Sequence, residues 1–121
     1  MEAKISKLID QLIKGTQDNT FTWEETGKKT AFRLKMVAGA VEVERWNGSD
    51  ENTGVMHDMV DITFLKPLGE KVDKYAFSDI DEPSDHAYLS KLHDAARRNA
   101  LRVDEVLAGL FGEIERKVKK T

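Results

Sequence analysis

The side chains of this 121-residue sequence that could do chemistry are three histidines, five serines, several paired carboxylates and one basic cluster. A helical zinc pair needs its two ligands about one turn apart. His86 and His93 are seven residues apart, which the helical rise converts to about 10 Å, too far for one ion. With His57, they read as surface or partly packed residues, and no metal is expected. Asp50-Glu51-Asn52-Thr53-Gly54 has some features of a calcium loop, but its glycine comes one position early. Its twelfth position is Asp61 and not a bidentate Glu, so an acidic turn is the simpler account.

Carboxylates are paired at Glu24/Glu25, Glu42/Glu44 and Asp58/Asp61. Glu42 and Glu44 would share one face of a strand, as a general acid and base might, but the polar side of any half-exposed strand predicts the same pair. None of the serines lies in a G-x-S-x-G elbow, and the eight glycines form neither a phosphate loop nor a dinucleotide fingerprint. Cysteine is absent, which excludes disulfides, thiolate metal sites and a thiol nucleophile. No cofactor signature is present, and the expectation is a chain that is not an enzyme.

Lys91, Arg97, Arg98 and Arg102 form the one basic concentration inside a helical pattern. Arg98 and Arg102 are one turn apart and suit a phosphate or carboxylate, although Asp94 is placed for an ordinary ion pair with Arg98. Nucleic-acid binding also calls for aromatic platforms nearby, and Tyr88 is the only candidate on that helix. Trp46 ends a predicted strand beside a polar loop, the half-exposed posture of an interface anchor. Phe111, between Gly109 and Gly112, is placed either to pack in the core or to lie against a second chain.

The elements that must position these groups follow from periodicity. Ile5, Leu8, Ile9, Leu12 and Ile13 make one apolar stripe, predicting a helix over roughly 2–14 closed by Gly15. From Thr20 the period becomes two. Phe21 and Trp23, then Phe32, Leu34 and Met36, then Val41, Val43 and Arg45 predict three strands with one wet face. Asn47 to Gly54 reads as a loop, 55–66 as a fourth strand carrying Val60, Ile62 and Phe64, and 71–78 as a fifth. Val72 falls out of phase with Tyr75 and Phe77, which a bulge would explain. Ser84 or Asp85 would cap a C-terminal helical segment. Leu89, Leu92, Ala96, Val103, Val106, Leu110 and Ile114 keep its period, Asp104 offers a restart, and Lys117 to Thr121 are expected to fray. The fold class is thus α+β: an N-terminal helix, a five-stranded antiparallel meander, and a long C-terminal helix whose break into two is left open.

Hydrophobic residues at 40% and charged residues at 34% suit a core with a solvated surface. The start of the chain leads into an amphipathic pattern and not the apolar stretch of a signal peptide, and no run approaches membrane-spanning length. A single cytoplasmic domain over 1–121 is the expectation. Residues 1–85 carry net −6 and residues 86–121 net +3, so phosphate-backbone binding would fall to the second segment.

Leu8-Ile9-Asp10-Gln11-Leu12-Ile13 ahead of Phe21-Thr22-Trp23-Glu24-Glu25-Thr26, with the later His93-Asp94-Ala95-Ala96-Arg97-Arg98-Asn99-Ala100 and Val103-Asp104-Glu105-Val106, resembles small uncharacterised bacterial and phage-borne α+β proteins. That resemblance implies a layout and no site. The chain is also similar to type III secretion chaperones, which are small, acidic, dimeric and α/β, although it lacks their helix between strands. Together these features suggest a non-enzymatic interaction module that associates with itself or with another protein through Trp46 and Phe111. The alternative is a nucleic-acid-associated accessory protein using the basic C-terminal helix.

Overall fold

The computed structural model describes residues 1–119. Its elements are α1 (Ala3–Gln17), β1 (Glu24–Glu25), β2 (Ala31–Met36), β3 (Gly39–Ser49), β4 (Met56–Leu65), β5 (Lys71–Ser78), α2 (Pro83–Ala100) and α3 (Val103–Lys119). The strands form one open sheet in the order β1-β2-β3-β4-β5, every pair antiparallel. The α+β layout expected from periodicity is therefore the fold.

Alternation fixes which face is covered. The register sets Phe32 opposite Val43, Leu34 opposite Val41, Val43 opposite Ile62, and Ile62 opposite Tyr75. These side chains all point to one side, where α2 lies across β2 to β5 and α1 lies beside α2. Ile9, Leu12 and Ile13 of α1 and Leu89, Leu92 and Ala96 of α2 complete the core. Tyr88 ties the two helices together, its one hydroxyl hydrogen shared between Ser6 O at 2.9 Å and Asp10 Oδ1. Burial, and then the bond to Asp10, raise its phenol to about 12.

Several local expectations give way to non-local contacts. Gly15 does not end α1. It is buried inside the helix because the Phe21 ring lies over it, and a Cβ there would meet that ring at 2.3 Å. The left-handed position falls instead on Asn19, at φ 64°. The predicted first strand shrinks to two residues because Trp23 is held elsewhere: its backbone N–H donates to Asn99 Oδ1 at 2.7 Å and its Nε1 to Thr16 Oγ1 at 2.8 Å. The expected loop at Asn47 begins three residues later, since Asn47, Gly48 and Ser49 pair with Asp58, His57 and Met56. Val72 is the bulge its phase implied, the extra residue between Lys71 and Asp73 where these oppose Leu65 and Phe64.

Pro83 opens α2 after Glu82, whose backbone (φ −134°, ψ 66°) is not helical, so neither Ser84 nor Asp85 is its cap. The C-terminal segment is two helices. α2 ends at Ala100, Leu101 caps it, and Arg102 turns left-handed at φ 53°, a conformation that costs an ordinary side chain about 1–2 kcal/mol. Lys117 to Lys119 remain helical, helped by a 3.4 Å pair between Lys117 and Glu113, and the rest of the expected frayed end lies outside the described residues.

Candidate functional site

The bend at Arg102 decides the most unusual surface. Arg98 Nη2 reaches across it to Asp104 Oδ1 at 2.8 Å, holding the first turn of α3 to the last turn of α2. Beyond that turn α3 has α2 as its principal neighbour, and no described residue of α3 is buried. Val106, Leu107, Leu110, Phe111 and Ile114 stand 42–65% exposed. At 100° per residue these side chains, with Val103, occupy about 140° of the helix surface. They make two neighbouring ridges, Val103-Leu107-Phe111 and Val106-Leu110-Ile114, with a groove between them. An amphipathic helix is marginal alone in water, and this one keeps its contiguous apolar face in solvent.

The sequence pointed to Phe111, and at 65% exposure it is not a core residue. Val106, Leu107, Leu110 and Ile114 are surface residues as well. Their periodicity signals an apolar stripe, but periodicity alone does not tell whether the rest of the chain covers it.

The uncovered face of the sheet is of a different kind. Arg33 binds Glu42 at 2.8 Å, Lys28 binds Glu44 at 3.5 Å and Lys35 binds Glu24 at 3.5 Å. These ion pairs, two of them between strands, make this face polar. Glu42 and Glu44 are thus each held by a cation on open sheet, not gathered in a pocket. Trp46 lies on this same face, 40% exposed, and its Nε1 donates to Asp61 Oδ2 at 2.9 Å.

The basic quartet is divided. Lys91, Arg98 and Arg102 line one cleft of about 470 Å³ with Asn19, Asp94 and Glu105. There Arg98 is engaged by Asp104, and Arg102 by Glu105 at 3.6 Å. Arg97 faces a second cleft, with Lys29, Arg45, Asp58 and His93. Lys91 and Arg97 have no ion pair among the described residues.

The histidines are dispersed too. His93 is buried against Phe32, with Nε2 2.8 Å from Thr30 O, and burial holds its imidazole below the usual histidine range. His86 Nε2 approaches Asp58 Oδ2 at 3.2 Å without the alignment of a hydrogen bond. Asp58 is bound on its other side by Arg45, whose Nε donates at 2.9 Å, and that bond keeps the carboxyl below its ordinary value. His57 Nδ1 lies 3.3 Å from Ser78 Oγ on the opposite face of the sheet. Ser78 Oγ already accepts the backbone N–H groups of Ile80 and Asp81, at 3.1 and 3.3 Å. With both acceptances filled, its hydroxyl hydrogen goes to His57, an arrangement that closes the β5–α2 turn. Among the described residues no group of three histidines or carboxylates is placed to hold a metal ion, and no helix is long and apolar enough to cross a membrane.

No family model, curated protein or solved structure matches this chain. These comparisons leave the resemblances drawn from the residues where they stood.

Proposed function

We propose that this chain is a non-enzymatic protein-interaction module that works by presenting the apolar face of α3 to a protein partner. One observation carries the reading: α3 is 17 residues long, strongly amphipathic, and has no buried residue. A surface of aliphatic and aromatic side chains bounded by Asp104, Glu113 and Lys117 has the composition of an interface core with a polar rim. Burying it against another helix would follow the helix-in-groove mode. Trp46, half-exposed on the open face of the sheet, is a second, smaller candidate contact.

Site-specific photo-crosslinking in cells tests this. A photoreactive phenylalanine analogue replacing Phe111 should give protein adducts, while the same group at Glu105, on the opposite side of α3, should not. Equal yields from the two positions, or none from either, would refute the proposal.

The nucleic-acid reading draws support from Lys91 and Arg97, the two members of the quartet without an ion pair. It is the weaker reading because they face separate clefts, and Asp94, Asp104 and Glu105 make the surroundings mixed in charge. Binding that falls steeply with salt and is lost in Arg97→Ala would favour it.

A further inference from the structure

We infer that the occupant of the α3 face is the α3 of a second copy of this chain, lying antiparallel to it. The inference rests on the docking role proposed above and names the partner. Two observations select it. The first is self-complementary shape. Both ridges on α3 follow the i, i+4 rows, so the ridge of one copy fits the groove of another in the commonest class of helix packing. A two-fold axis passing between Leu110 and Phe111 sets Leu110 against Phe111 of the second copy and Leu107 against Ile114. Every one of these residues is exposed in the single chain.

The second observation is charge. The first turn of α3 is acidic, with Asp104 and Glu105, and its last turn is basic, with Arg116, Lys117 and Lys119. Parallel alignment would stack acid on acid and base on base. Antiparallel alignment brings Asp104 to Lys117 of the second copy, twice by symmetry, and opposes the two helix dipoles. The existing partners do not stand in the way. Arg98 with Asp104 and Glu113 with Lys117 are exposed pairs, which contribute little and are readily shared. Another protein would have to match this arrangement by chance, whereas a second copy matches it by construction.

Sedimentation velocity of the full chain, from micromolar to near-millimolar concentration, tests the partner. The expected result is a shift from one copy to two that stops at two, weakened about 100-fold by Leu110→Asp, as for a central interface residue. Leu110 contributes nothing to the core, so at concentrations low enough for both proteins to be single copies the thermal unfolding of that variant should match the parent's.

Orientation is read from cysteines placed in this cysteine-free chain. Leu107→Cys combined with Ile114→Cys should oxidise to a covalent dimer, and Leu107→Cys alone should not. A disulfide from Leu107→Cys alone means parallel helices and overturns the arrangement. A monomer at all concentrations overturns the second copy as occupant. The docking role itself survives that result if position 111 still crosslinks to another protein in cells.

Discussion

Trp46 donates its indole N–H to the Asp61 carboxylate at 2.9 Å, across the diagonal between β3 and β4, on the sheet face that no helix covers. Asp61 is only 2% exposed although it stands on that open face. The indole itself shields it, together with Lys74, whose Nζ lies 3.6 Å away. Gly48 makes this pose possible, because a Cβ there would lie 2.9 Å from the indole ring.

Trp46→Phe therefore removes a hydrogen bond to a charged, buried acceptor. We expect a loss of about 1–3 kcal/mol in urea unfolding. The measurement is clean because Trp23, buried in the core, becomes the sole fluorescent reporter. Unchanged stability would show that Lys74 alone satisfies the carboxylate.

Asn99 is the next test. Its side chain accepts from Trp23 N–H at 2.7 Å and donates to Phe21 O at 2.9 Å, fastening the chain between α1 and β1 to α2. Asn99→Ala leaves both backbone groups without partners and should cost about 1–3 kcal/mol. Asn99→Asp should cost more, since a carboxylate would face the Phe21 carbonyl. Chemical denaturation of the two variants gives the order directly.

Core and α3 substitutions should separate stability from association. Leu92→Ala, at a fully buried position, should destabilise by about 2–5 kcal/mol. Ile114→Ala should leave unfolding of the domain within about 0.5 kcal/mol, as surface changes do, while weakening self-association. Calorimetry and sedimentation on the same samples would expose any exception.

The dependence on pH has a definite sign. Burial lowers the His93 pKa in the folded state, so the unfolded chain takes up that proton first on acidification. Stability is full above about pH 6.5, the ordinary histidine value, and declines as pH falls from there toward the folded value. Asp58, also lowered when folded, adds a second loss across the carboxylate range as its bond to Arg45 is broken by protonation. His93→Gln should flatten the first phase and keep the second when stability is measured against pH.

Much of this architecture is legible in residue order because strand and helix periods are local. The four long strands, α1 and even the misfit at Val72 follow from alternation read a few residues at a time. What escapes is set by contacts between distant segments. Trp23 leaves its predicted strand because Asn99, 76 residues away, takes its N–H. Asn47 and Gly48, a turn pair by type, stay in β3 because Asp58 and His57 pair with them. His86 sits beside Asp58 only because α2 crosses the sheet there. The candidate site was half legible: an apolar stripe past residue 103 was evident, but its exposure depends on the left-handed turn at Arg102. Arginine at that position gives no hint of such a turn.

The two outer rims of the sheet carry a last consequence. On one side β1 offers two residues, both glutamates, and on the other β5 is interrupted at Val72 amid Lys71, Asp73 and Lys74. The bulge confines the regular rim of β5 to residues 73–78, and the charges at both margins make each a poorer template for a visiting strand. Crowding copies of this chain together should yield small finite assemblies joined through helices, and concentrated solutions should stay clear.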